Sequence, residues 1–233
     1  TTVVTRRDPK VAPLAITLPA TVNGQIMPGE VDRLRFAARE GQRLTVALSA
    51  RALIPYLADA VPGWFQATMA LRDAQGREVA YADDFNFNPD PVLSYKVPAD
   101  GDYVLEIKDA IYRGREDFVY RVAIGELPFV TGIHPLGGHG GDTIAFQLSG
   151  WNLPLKELNV SAKDREPGSF VLAVRNQKIL SNPVRFAVDT LPEGSDVEPN
   201  DTPVKAPTLA LPIIVNGRIE RPGAEDVFRF VGK

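Results

Sequence analysis

Oxygen-bearing side chains occupy alternate positions in the stretch Asp196-Val-Glu198-Pro-Asn200-Asp201 near the C-terminal end of the sequence. On an extended backbone, alternate side chains leave on the same side. Asp196, Glu198 and Asn200 can therefore converge on one point, with Asp201 adjacent. Hard oxygen donors of this kind suit a structural calcium ion, which takes about six to eight of them. The plainer alternative is a solvated acidic linker in which Asn200 and Asp201 serve as turn residues.

A second oxygen-rich stretch, Asp84-Phe-Asn86-Phe-Asn88-Pro-Asp90, opens like a calcium loop. Pro89 stands where an EF-hand requires glycine, and Tyr95 where it requires a bidentate glutamate, so an EF-hand is excluded. Asp83, Asp84, Asn86, Asn88 and Asp90 remain as an ion site or a turn. His134 and His139 are the only histidines, both in a Gly- and Pro-rich turn, and no serine sits in a G-x-S-x-G elbow. Nucleophilic catalysis is thus not expected. Tyr56, Trp64 and Phe65 flank a connection, where exposed rings would make a platform for a sugar or a peptide; burial under a sheet edge is the alternative.

The elements that must position these residues are written twice. Leu18, Pro19, Val22, Asn23, Gly24 and Ile26 return in the same spacing as Leu211, Pro212, Val215, Asn216, Gly217 and Ile219. After one inserted residue, Pro28, Gly29, Asp32, Arg35 and Phe36 return as Pro222, Gly223, Asp226, Arg229 and Phe230. One supersecondary unit therefore starts twice, and only the opening strands of the second copy are present. The acidic set has no counterpart before the first copy. At the spacing of the repeat, Val3, Thr5, Arg7 and Asp8 stand where Asp196, Glu198, Asn200 and Asp201 stand.

Composition narrows the class. The 233 residues are 44% hydrophobic and 24% charged, enough for packed cores and unlike a disordered chain. A formal net charge of −3 gives no basic face for nucleic acid. With no cysteine, disulfides, thiolate metal sites and cysteine nucleophiles are excluded. No run of about 18 apolar residues is present, so no membrane span is expected. The N-terminal TTVVTRRDPK lacks the apolar core of a signal peptide; if the parent is exported, its signal was removed or lies outside this sequence.

Period-two alternation recurs throughout. Leu34 and Phe36 alternate with Arg33 and Arg35, Leu44, Val46 and Leu48 share a face, and so do Tyr103, Leu105 and Ile107. Gly, Pro and Asp punctuate the strands at roughly ten-residue intervals, the pattern of an antiparallel β-sandwich. The chain divides into residues 1–126, 127–190 and 191–233, the last opening with the Pro- and acid-rich linker LPEGSDVEPNDTPVKAPT.

The EPND run, the VNGRI strand, the Pro-Gly turn and Asp226-Val-Phe-Arg-Phe230 together resemble the bacterial pre-peptidase C-terminal domain family. The first copy resembles it too, through Asp73-x-x-Gly76, Ala82-Asp83-Asp84 and Pro98-Ala-Asp-Gly-Asp-Tyr103. Residues 127–190 resemble an IPT/TIG-type immunoglobulin-like module, through Ile133-His-Pro-Leu-Gly-Gly138 and Leu148-Ser-Gly-Trp-Asn-Leu153. The alternation of modules is similar to that of large exported planctomycete-type proteins. The resemblance implies an all-β chain: a jelly-roll-like antiparallel sandwich, a smaller immunoglobulin-like sandwich and a truncated third β module. It also implies that Asp226, which opens the matching strand, joins Asp196, Glu198, Asn200 and Asp201 as a calcium ligand.

The function expected is that of a non-catalytic binding or accessory region of an exported multi-domain bacterial protein. It would be secreted, periplasmic or on the cell surface, and would anchor or orient neighbouring domains of the same chain on protein or polysaccharide. A purely structural spacer is the near rival, and a hydrolase domain the distant one.

Overall fold

The computed structural model describes residues 2–5, 12–54 and 64–232. The chain forms two compact units, Thr1–Leu127 and Pro128–Lys233. The first contains β1 (Thr2–Thr5), β2 (Leu14–Ala15), β3 (Ala20–Gln25), β4 (Asp32–Ala38), β5 (Arg43–Ser49), β6 (Ala67–Arg72), β7 (Glu78–Ala82), β8 (Val92–Lys96), β9 (Gly101–Asp109) and β10 (Val119–Gly125). They make two five-stranded sheets in the orders β1-β3-β10-β5-β8 and β2-β4-β9-β6-β7. Apart from β1 and β2, this is how a jelly roll distributes its strands between two sheets. β1 and β2 instead run parallel to β3 and β4 at the sheet margins.

Alternation decides which face is inside. In β4, Asp32, Leu34, Phe36 and Ala38 are buried and the residues between them exposed; in β9, Tyr103, Leu105, Ile107 and Asp109 are buried. These side chains meet Val22, Val46, Met69, Val122 and Ile124 in one core. Thr45, on the nominally polar face of β5, is also fully buried, because its hydroxyl donates to the Leu127 carbonyl at 3.1 Å.

The second unit contains β11 (Phe129–His134), β12 (Gly137–His139), β13 (Thr143–Trp151), β14 (Glu157–Ser161), β15 (Gly168–Leu172), β16 (Arg175–Asn176), β17 (Ile179–Leu180), β18 (Val184–Asp189), β19 (Glu193–Ser195) and β20 (Ile214–Asn216). Sheets β11-β13-β14 and β12-β18-β15 enclose Val130, Ile144, Phe146, Leu148, Phe186 and Val188. Residues 191–233 belong to this same unit, with β19 parallel to β20.

The repeat in sequence is a repeat in contacts. In the first copy the Ile16 amide donates to the Arg35 carbonyl, and in the second the Leu209 amide donates to the Arg229 carbonyl. Each Pro-Gly turn places glycine in the left-handed region, Gly29 at φ 78° and Gly223 at φ 80°. Each is closed by one amide, Glu30 to Met27 and Ala224 to Arg221. Coverage differs. Ile26 and Phe36 are buried, whereas their counterparts Ile219 and Phe230 are each 58% exposed. β9 and β10, which complete the first copy, have no counterpart among the described residues after Phe230.

Candidate metal centre

The parallel pairing of β19 with β20 is the element that delivers the acidic stretch. It continues one residue beyond β19, where the Asp196 amide donates to the Asn216 carbonyl at 2.9 Å. The chain then turns so that Asn200 is wholly buried, its amide donating to Glu198 Oε2 at 3.0 Å and its side-chain Nδ2 to Asp196 Oδ1 at 2.5 Å. The Asn200 carbonyl accepts from the Val227 amide at 3.2 Å, which fastens the linker to the segment carrying Asp226. One carboxylate oxygen each of Asp196, Glu198 and Asp226 lies within 4.8 Å of the other two.

Two atoms of this cluster are buried without a hydrogen-bond partner: Asn200 Oδ1 and Asp226 Oδ1. A buried acceptor left unpaired costs free energy, and carboxylates crowded this closely repel. Both conditions are relieved by a cation. Gly217 borders the cluster: a Cβ at that position would lie in ordinary contact, 3.4 Å from Asp226 Oδ2 and 3.7 Å from Asp196 Cβ. The donors are all hard oxygens, so the residues fit calcium better than a softer metal. Asp196, Glu198, Asp226 and Asn200 Oδ1 are the atoms that would hold it.

Asp201 stands apart from the other members expected of this set. Half-buried, it pairs with Arg221 at 3.4 Å. The register also revises the alignment of the two copies, because Thr5 pairs with Asn23 and Ser195 with Asn216. Ser195, and not Glu198, is therefore the counterpart of Thr5. Beyond the cluster, His134, Gln147, Arg218 and Glu220 join Asp196 and Glu198 around an open cleft of about 260 Å³.

In the first copy the equivalent aspartate has a different partner. Asp32 is fully buried, and its Oδ2 accepts from the Tyr120 hydroxyl at 2.5 Å. The ring of Tyr120 fills the space above Gly24, the counterpart of Gly217. A phenol thus occupies the place that the acidic cluster occupies in the second copy.

The remaining candidates are placed as follows. Asp90 is buried, and both its oxygens are taken by backbone amides, Oδ1 by Ala50 and Arg51 and Oδ2 by Ala52, at 2.8–3.1 Å. Asn88 Oδ1 accepts from the Asp90 amide, while Asp83, Asp84 and Asn86 are exposed. These five side chains do not converge, and the turn is what the geometry shows. Phe65 does not belong to a ligand platform: it lies in the core, stacked on Phe118 with centroids 5.2 Å apart, because the connection packs under the sheet end. Trp64 is half-buried under the Arg51 guanidinium at 4.5 Å, and Tyr56 lies outside the described residues. His139 faces Asp142 at 3.5 Å, and among the described residues neither histidine holds a serine hydroxyl.

Burial, and then the charges of Asp196 and Glu198, push the Asp226 carboxyl above the usual carboxylate range. A raised folded value means stability that is complete below the unfolded value and is lost as pH rises through the folded one. Glu106 has the opposite sign. Burial alone would raise it, but hydrogen bonds from Arg72 and Arg33 outweigh burial and hold it low. Its contribution is present above the unfolded value and is lost as pH falls through the folded one. Lowering the pH of the calcium-free chain from neutrality should therefore first relieve the second unit, as pH falls through the raised Asp226 value, and weaken the first unit only as it falls on below the usual carboxylate range, through the lowered Glu106 value. Trp64 and Trp151 lie one in each unit, so Trp151→Phe and Trp64→Phe backgrounds report the two urea midpoints separately. A second unit that weakens on acidification as much in the parent as in Asp226→Asn would contradict this assignment.

No family model matches the chain. Over 80 residues, 34% of its length, it is 36% identical to a probable subtilase-type serine protease of Deinococcus radiodurans, of which it spans only 10%. Among solved structures it is similar to the pre-peptidase C-terminal domain of a collagenase from Bacillus anthracis. That match has 13% identity and a TM-score of 0.35, over 51% of this chain and 99% of that one. It is also similar to a periplasmic inhibitor of g-type lysozyme from Salmonella Typhimurium. Here the identity is 20% and the TM-score 0.32, over 49% of this chain and 98% of that one.

Proposed function

We propose that this chain is a non-catalytic accessory region of an exported multi-domain bacterial protein, stabilised by calcium in its second unit. It would hold neighbouring domains in position on a protein or polysaccharide target, in the periplasm, outside the cell or at its surface. The observation that carries the calcium reading is the pair of buried, unpartnered oxygens, Asn200 Oδ1 and Asp226 Oδ1, beside three carboxylates within 4.8 Å. The accessory reading is supported by the all-β architecture and by the partial match to a protease of which this chain spans a tenth.

When bound, the ion would neutralise the cluster and join the linker to the second copy. The residues divide this work. Asp196 and Glu198 come from the linker, Asp226 from the segment after the second Pro-Gly turn, and Asn200 ties the two through Val227. Such a tie would make the angle between modules depend on calcium, a useful property outside the cell, where the ion is abundant.

The test is titration calorimetry of the whole chain with calcium chloride, beside Asp226→Ala and Asn200→Ala. The expected dissociation constant is about 10⁻⁴–10⁻³ M, the range of extracellular modules, with a large loss in both variants. At a hundredfold excess over that constant, the urea midpoint reported by Trp151 should rise by the equivalent of about 2.7 kcal/mol. No heat of binding, or equal heat in all three proteins, would reduce the stretch to an acidic linker.

A further inference from the structure

The first unit has two ends of opposite character. The loops 39–42, 73–77 and 97–100 at one end expose no large hydrophobic side chain. At the other end, in the loops that follow β3, β5, β7 and β9, Met27, Leu53, Phe87, Ile111 and Tyr112 are all exposed. Register places these loops together. Asp32 and Ala67 pair with the C-terminal residues of β9, and Val92 pairs with Ala47 near the end of β5.

Phe87 is the extreme case, at 102% exposure. It is the second residue of a two-residue turn, with Asn86 at φ 50° and Phe87 at φ 63°, closed by both backbone hydrogen bonds between Phe85 and Asn88. That is a type I′ turn, in which the second position is by preference glycine. A phenylalanine there is strained, loses its hydrophobic benefit to solvent, and contributes nothing to the core. The turn is nonetheless held firmly: Asn88 caps the Asp90 amide, and Asp90 is bound by the three amides at the end of β5. A well-held hairpin thus presents a bare aromatic ring, with Met27, Leu53, Ile111 and Tyr112 exposed on the other loops of the same end.

Charge indicates what would meet it. Among the described residues, the cations of this end are already engaged: Arg113 on Asp109, Arg115 on Asp117, Arg51 over Trp64 and Lys108 on Tyr112. Asp83, Asp84 and Glu116 are exposed and, among the described residues, carry no ion pair. A bilayer is disfavoured, because Phe87 could enter it only by carrying Asp83 and Asp84 to the headgroups with no free cation beside them. We propose that this end is a docking surface for another protein, whose apolar pocket takes the Phe87 ring and whose lysine or arginine side chains meet Asp83 and Asp84. A preorganised aromatic in the centre with charges at the rim is how interfaces divide affinity from steering.

The test is a selection of phage-displayed random dodecapeptides against the immobilised whole chain, followed by affinity measurement in solution. Enriched peptides should combine aromatic or aliphatic residues with lysine or arginine. They should bind Phe87→Ala at least about tenfold more weakly, lose salt sensitivity with Asp83→Asn/Asp84→Asn, and ignore Gln75→Ala at the polar end. Phe87→Gly should raise the thermal midpoint by about 2–4 °C, because the ring is not used inside the fold. No enrichment, peptides that bind Phe87→Ala as well as the parent, a lower midpoint for Phe87→Gly, or Phe87-dependent retention on phosphatidylcholine vesicles would each overturn the proposal.

Discussion

Replacing Asp109 by alanine will destabilise the first unit by about 3–5 kcal/mol. The carboxylate is fully buried at the last position of β9. It accepts from the amides of Gln66, Ile111 and Arg113 and from the Arg113 guanidinium, at 3.0–3.2 Å. The same guanidinium donates to the Trp64 carbonyl at 3.0 Å. Alanine would leave three part-buried backbone donors and a half-buried cation without the buried carboxylate that collects them. Asp109→Asn keeps an acceptor of similar size and should cost about 1–3 kcal/mol. Urea unfolding of the whole chain, followed through Trp64 in a Trp151→Phe background, measures both. A loss below about 1 kcal/mol for alanine would show that water replaces the carboxylate and that the loop end is not organised by it.

The same substitution placed in the two copies of one motif will have very different effects. At Gly24 an added Cβ would lie 2.3 Å from the Tyr120 ring, which is fixed in the core and bonded to Asp32. The ring must move, and with it the phenol that serves a buried carboxylate, so Gly24→Ala should cost about 3 kcal/mol. At Gly217 the nearest atom to such a Cβ is Asp226 Oδ2 at 3.4 Å, and the position is exposed. Gly217→Ala should change stability by no more than about 0.5 kcal/mol. Parallel denaturation of the two variants checks the pair. Equal effects would mean that glycine is retained in the motif for backbone reasons alone, and that Tyr120 is not the group for which Gly24 makes room.

Much of this molecule was legible in the sequence because its signals are local. Leu34-Arg-Phe36, Leu44 to Leu48 and Tyr103 to Ile107 alternate with the strand period, and those apolar side chains are the ones buried. Pro28-Gly29 and Pro222-Gly223 mark turns because only glycine takes positive φ without strain, and both take it. The alternation of Asp196, Glu198 and Asn200 is likewise a property of adjacent residues. Asp226, distant in sequence, entered the set only through the family resemblance; the fold brings it to Asp196 and Glu198 and pairs Asp201 with Arg221 instead.

What the sequence could not show depends on contacts between distant segments. Asp90, Asp109 and Asp32 look alike as acids, yet each is buried by partners far along the chain: amides after β5, the entry to β6 and the ring of Tyr120. Phe65 and Phe87 look alike as aromatics beside loops. One is stacked in the core and the other is bare, because register carries the first under the sheet end and a left-handed turn lifts the second away from it. Hydrophobic period determines that strands form and which faces they bury. The order of strands in the sheets, and therefore which loops share an end, is decided by the packing of the whole chain, and the acidic cluster and the apolar loop end exist only at that level.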